Sequence, residues 1–168
     1  MYYPVVAATK VLFWKTILSL KDKYMHESYL RKAIKKAKEG RDSKEGGSFG
    51  ALIVRDNEVI CEVHNLVRGK DDLTQHAELL AIRVACNRIG RDNLKECILY
   101  TSCEPCMMCL GACHWAQFKK IYYGASAEDA QEFGFTYSKS FFNIDSKLRH
   151  TEFKMTQLLR DEALDVWK

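Results

Sequence analysis

An imidazole, two thiols and a carboxylate stand at spacings that suit a metal ion. His76 and Glu78 are one residue apart, and Cys106 and Cys109 fall in the run Pro105-Cys106-Met107-Met108-Cys109. Imidazole and thiolate are donors that zinc prefers. Three protein ligands, His76, Cys106 and Cys109, leave a fourth position open, and an open position is the mark of a catalytic zinc. Glu78 is then placed to handle the protons of a water at that position, as general base and acid.

The cysteines admit a second reading. Cys103, Cys106, Cys109 and Cys113 have the C-x2-C-x2-C-x3-C spacing of a bacterial iron–sulfur ligand run. Against it, His114 rather than proline follows the fourth cysteine, no second cysteine group exists, and His76 and Glu78 go unexplained. The pairing H-x-E then P-C-x-x-C is instead the signature of zinc-dependent nucleobase deaminases. On that reading Cys103 and Cys113 are small buried hydrophobes, as are Cys61, Cys86 and Cys97.

The elements around these residues can be read from periodicity. Thr74 to Arg88 reads as a helix with Leu79, Leu80, Ile82, Val84 and Ala85 on a broad apolar face, placing His76 and Glu78 in its first turn. Pro105 to Trp115 reads as a second helix with Pro105 at its first position and both cysteines one turn apart. Two helix N-termini then converge on one metal, an arrangement that favours negative charge. Upstream, His26 to Glu39 reads as a helix with Leu30, Ala33, Ile34 and Ala37 inward and Gly40 as its stop, followed by a loop from Arg41 to Ser48. Phe49–Arg55 and Val59–His64 form a predicted hairpin, and Asn65 to Leu73 a polar loop. Cys97–Thr101 and Lys120–Tyr123 are further strands, Asp129–Phe133 a short helix, Lys154–Met155 an edge strand and Gln157–Trp167 a last helix. Strands alternating with helices predict a three-layer α/β/α sandwich around a central mixed sheet.

A chain of 168 residues fits one domain. Seven cysteines, three of them within seven residues, favour metal binding in a reducing compartment over disulfides, so a cytoplasmic location is expected. The net charge of +4 is uneven: residues 1–45 hold 11 Lys/Arg against 5 Asp/Glu, the rest 15 against 17. Arg31, Lys32, Lys35, Lys36 and Lys38 make a basic helix face, read as a solvated surface rather than a nucleic-acid contact. Val5 to Leu20 is apolar but interrupted by Lys10 and Lys15, too broken for a membrane span. Residues 1–24 are therefore expected to be an extension that docks on its own domain, a partner or a membrane surface, with Met25 an alternative start. Residues 25–168 are expected to be the catalytic domain.

From about Met25 onward the chain resembles the cytidine-deaminase-like superfamily, and within it the small bacterial guanine deaminases and related nucleoside deaminases. The resemblance rests on Gly46-Gly47-Ser48-Phe49-Gly50-Ala51, on His76-Ala77-Glu78, and on the stretch Tyr100 to Ala112. The tRNA adenosine deaminases share the zinc motif but usually lack the phenylalanine at Phe49. The resemblance implies zinc on His76, Cys106 and Cys109, with Glu78 as proton shuttle. It also implies a base held by Asn65, lined by Phe49 and Trp115, and met by the N–H groups of Ala77 and Cys106. Glu162 matches a carboxylate that closes the site. It implies a homodimer with the segment Phe141 to Lys168 exchanged, anchored by Trp167, and a small nucleobase rather than nucleic acid or membrane as partner.

Two departures stand out. Ser48 replaces the usual proline, and Thr136-Tyr137 stand after Gly134-Phe135 where guanine deaminases tend to carry acids. Tyr137 can accept a hydrogen bond there, though without charge. Guanine leads the expected substrates, followed by guanosine, cytosine, aminated triazines and a tRNA adenosine. His26, His64, His114 and His150 are assigned no chemistry.

Overall fold

The structure, a computed structural model, describes the backbone of residues 5–168 and the side chains of residues 16–168. The side chains of Val5 to Lys15, including Lys10 and Lys15, lie outside the described residues. Helix α1 (Val5–Asp42) leads into the hairpin β1 (Gly47–Arg55) and β2 (Glu58–Asn65). Then come the short α2 (Val67–Lys70), α3 (Ala77–Ile89), a 3-10 turn (Arg91–Glu96), β3 (Ile98–Cys103), α4 (Met107–Ala116) and β4 (Lys120–Ala125). The chain ends in α5 (Ala127–Glu132), α6 (Lys139–Asn143), α7 (Ser146–Glu152), β5 (Met155–Gln157) and α8 (Arg160–Leu164).

The five strands lie in the order β2-β1-β3-β4-β5. β1 is antiparallel to β2 and β3, while β3, β4 and β5 run parallel, so the sheet is mixed as expected. Alternation assigns its faces. Leu52 and Val54 of β1 pack with Leu30, Ala33, Ile34 and Ala37 of α1, and with Ala163 of α8. Ala51 and Ile53 pack instead with Ala77, Ala81 and Ala85 of α3 and Leu110 and Cys113 of α4. Helices thus cover both faces, and the layer holding α3 and α4 carries the ligand candidates.

Periodicity alone places the first helix at His26–Glu39, but it extends at both ends. Gly40 does not stop it. A Cβ there would sit 2.4 Å from the Gly47 carbonyl and 3.0 Å from the His64 Cβ, so glycine serves close approach to the hairpin. Gly50 does the same under α1, where a Cβ would meet the Ala33 carbonyl at 2.2 Å. Upstream, the side chains of Thr16 to Tyr24 are exposed.

Other boundaries move for identifiable reasons. Residues 157–159 do not join the last helix: Gln157 pairs with Tyr123 across β4 and β5, and Leu159 takes a φ of 52°. Cys97 ends the 3-10 turn, and β3 begins at Ile98 and continues through Cys103. The polar loop after β2 contains the single turn α2.

Candidate active site

His76 and Cys106 are not inside their helices. Each is the N-cap, with extended ψ of 148° and 173°, and its carbonyl accepts the first helical bond, from Leu80 (2.9 Å) and Leu110 (2.8 Å). Pro105 therefore precedes the cap, two positions before the first helical place expected of it. Cys109 lies in the first turn of α4, three residues after its cap, so both thiols point back past the helix end. Ala77 opens α3 and Cys106 caps α4, so their N–H groups are among those a helix leaves without intrahelical acceptors.

The three ligand atoms converge. His76 Nδ1 lies 3.6 Å from Cys106 Sγ and 3.6 Å from Cys109 Sγ, and the two sulfurs are 3.7 Å apart. A tetrahedral zinc, with bonds of about 2.3 Å to sulfur and 2.0–2.1 Å to nitrogen, separates its ligand atoms by about 3.5–3.8 Å. The three atoms therefore form one face of a zinc tetrahedron. Among the described residues this is the group of His, Cys, Asp and Glu side chains spaced to hold a metal. The hydrogen bond from Cys109, with His76 beside it, pushes the Cys106 thiol down to about 4, a ready thiolate. That same bond and burial hold Cys109 up.

Cys103 and Cys113 do not join the cluster. Cys103 lies 3.4 Å from the Tyr137 hydroxyl, and burial pushes both thiols up. All seven cysteines are free, Cys61 and Cys97 buried and Cys86 partly so.

Glu78 is buried, with its carboxylate beside the cluster. Oε1 accepts from the Thr101 hydroxyl at 3.0 Å, and Oε2 lies 3.5 Å from Cys109 Sγ. Burial raises its pKa, and the nearby Cys106 thiolate adds to the rise. A group that exchanges protons near neutral pH needs such a shift.

A cleft of about 190 Å³ opens onto this carboxylate, lined by Phe49, Asn65, His76, Glu78, Cys106 and Tyr137, with Cys103, Glu104, Phe135 and Thr136 completing it. It is small beside the ~300–1,000 Å³ of drug-sized pockets, and so suits a single base. Asn65 closes β2 opposite Gly47, and its Oδ1 accepts from the Val67 N–H at 3.0 Å, leaving its NH2 for a ligand. Gly134, at a φ of 86°, turns the chain so that Phe135, Thr136 and Tyr137 reach the cleft. The Tyr137 hydroxyl donates to the Glu104 carbonyl at 2.5 Å, so toward the cleft its oxygen is an acceptor.

Two expected contacts lie elsewhere. Trp115 is 87% exposed and lines grooves on the outer side of α4. Cys109, Leu110, Cys113 and Ala116 form the inward stripe of that helix, and Trp115 falls off it. Glu162 sits outside the cleft, holding the Arg31 guanidinium through bonds of 2.9 Å to each carboxylate oxygen. Thr101, Phe135 and Glu104 were not singled out from sequence. The alternation of Leu99, Thr101 and Cys103 on one side of β3 was the available signal for Thr101.

Residues 23–125 match the family described as the cytidine and deoxycytidylate deaminase zinc-binding region. The chain belongs to this family. It is 45% identical to the guanine deaminase of Bacillus subtilis over 85% of this chain and 92% of that protein. A crystal structure of a guanine deaminase from the same organism superposes with a TM-score of 0.65 at 48% identity, covering 70% of this chain and 74% of that one. The tRNA-specific adenosine deaminase of Aquifex aeolicus is 38% identical over 59% of this chain and 65% of its own length. Kinship and the ligand geometry agree: this is a zinc-dependent hydrolytic deaminase.

Proposed function

We propose that the chain hydrolyses guanine to xanthine and ammonia. The observation that carries the reading is the buried Glu78 carboxylate beside the three ligand atoms, at the floor of a cleft sized for one base. Kinship to the Bacillus subtilis guanine deaminase favours guanine among bases of that size.

Zinc, when bound, supplies a Lewis acid that brings water toward ionisation at neutral pH. Glu78 takes the proton of the attacking water, passes it to a ring nitrogen, and later protonates the departing amine. Water adds to the carbon bearing the exocyclic amine, and that C–N bond breaks as ammonia leaves. The Asn65 NH2 donates to an acceptor on the base, Phe49 gives it an apolar wall, and Tyr137 accepts from a ring N–H. Tyr137 thereby takes over, without charge, the acceptor role expected of an acid.

The test is ammonia release from zinc-loaded protein given guanine, with xanthine identified by chromatography. Turnover supports the reading. A zinc-loaded protein inert toward guanine but active on guanosine, cytosine, a triazine or tRNA would overturn the guanine assignment.

A small substrate rather than nucleic acid is supported by the pairing of four of the five cations on the basic face of α1: Arg31 with Glu162, Lys32 with Glu62, and Lys35 and Lys36 with Glu39. No helix among the described residues is long and apolar enough to cross a membrane. We place the enzyme in the cytoplasm, consistent with seven free thiols. Residues 25–168 form the catalytic unit in this reading, and a chain starting at Met25 should keep turnover. A homodimer with the C-terminal segment exchanged remains part of the proposal. Within one chain Trp167 already docks on Ser48, Phe49 and Phe135, and the exchanged form would make those contacts in trans.

A further inference from the structure

Thr101 sits on β3, buried, on the side facing α3. Its hydroxyl oxygen lies 3.0 Å from Glu78 Oε1 and 3.0 Å from the Cys103 carbonyl oxygen. The hydroxyl has one hydrogen for two acceptors: turned toward the carboxylate it holds Oε1, and its place is set by the buried strand that carries it rather than by Glu78. The other support for the carboxylate is the Glu78 backbone N–H, at the start of α3. Glu78 is thus held between the end of a helix and a fixed point on the sheet.

The consequence is directional. A glutamate side chain with three free torsions has many orientations, and a single backbone contact does not select one. With Oε1 held by Thr101, Oε2 is the oxygen turned toward the ligand cluster, 3.5 Å from Cys109 Sγ. A proton shuttle needs one oxygen aimed at the reacting atoms and the carboxylate plane kept from rotating.

We propose that Thr101 is a positioning residue that fixes the Glu78 carboxylate so that Oε2 alone faces the reaction. The claim rests on the proton-shuttle reading of Glu78. It predicts a loss in the chemical step, not in base binding or metal retention, when the hydroxyl is removed. Thr101→Val keeps the shape of the side chain and replaces the hydroxyl by a methyl group. Thr101→Ser keeps the hydroxyl, and Thr101→Ala removes it with less crowding.

The experiment compares these variants with the wild type for zinc content, kcat, KM and the crystallographic position of the Glu78 carboxylate. Thr101→Val and Thr101→Ala should keep one zinc per chain and a KM within about twofold, while kcat falls about ten- to a hundred-fold, as expected for a misplaced catalytic group. In their crystal structures the carboxylate should leave its place or occupy several. Thr101→Ser should restore most of kcat. Wild-type kcat in Thr101→Val, or Thr101→Ser as slow as Thr101→Val, would overturn the proposal. Should the wild type turn over no base at all, the deaminase reading fails on its own. The carboxylate position in Thr101→Val would still decide what Thr101 does.

Discussion

Arg149 and Glu104 form a buried ion pair, 3.3 Å between Nη2 and Oε1, with both side chains essentially sealed from solvent. Glu104 stands two residues before the ligand Cys106, and it also meets His150 at 3.0 Å and the Ala127 N–H at 3.1 Å. Arg149 belongs to α7 and donates to the Phe141 carbonyl at 3.0 Å. The C-terminal helices are therefore tied to the turn that presents a metal ligand.

Removing one member of such a pair leaves a buried charge uncompensated. Arg149→Met should destabilise the protein by about 3 kcal/mol, read from urea unfolding. The same variant should release zinc to a chelator faster than the wild type. Unchanged unfolding and zinc release would show that the pair supports nothing.

Trp167 supports the cleft from behind. Its ring lies 4.9 Å from Phe135 and 5.7 Å from Phe49, and its indole N–H donates to the Ser48 carbonyl at 3.1 Å. Trp167→Ala should cost about 2 kcal/mol, below the range for fully buried tryptophan because Trp167 is only half-buried. Phe49 and Phe135 would lose their backing, so KM should rise several-fold with a smaller change in kcat. Steady-state kinetics alongside denaturation separates the two effects.

Zinc removal should lower the thermal midpoint, because the metal binds the folded site and its free energy is lost with it. It should also uncover a reactive thiol. With Cys106 pushed down to about 4 and Cys61 pushed up to about 11 by burial, iodoacetamide near pH 6 should label Cys106 first. Peptide mapping before and after chelation checks this, and protection of Cys106 by added zinc completes it.

Asp129 gives a pH dependence away from the metal. Burial opposes its ionisation, but the Arg160 fork, with Nε 3.0 Å from Oδ2, and the Ser126 N–H and hydroxyl outweigh it and lower the pKa. Its folded value lies below its unfolded one. The stability it adds is therefore full above the unfolded pKa, about 3.9, and is lost as pH falls through the folded value. Arg160→Ala should flatten the loss of urea midpoint between pH 5 and pH 3. An unchanged slope would contradict the assignment.

The ligand set was legible in sequence because its chemistry follows local spacing. A helix cap and the residue three positions on, or a cap alone, put donor atoms at a helix end whatever the rest of the fold does. The sheet followed from strands that alternate with helices along the chain. What failed depended on direction around a helix or on distant partners. Trp115 is near Cys109 in sequence but off its stripe, and Glu162 is turned toward Arg31, on an element 131 residues away. Gly40 looked like a stop because close approach to the hairpin leaves no mark in the local pattern.

The central claim is that Glu78 moves the protons while His76, Cys106 and Cys109 hold the zinc. Glu78→Gln keeps the size of the side chain and removes its basicity. The most direct measurement is ammonia release from guanine by Glu78→Gln, with zinc counted in the same preparation. The account predicts one zinc per chain and turnover reduced at least about a hundred-fold. Near wild-type turnover with zinc bound would contradict it.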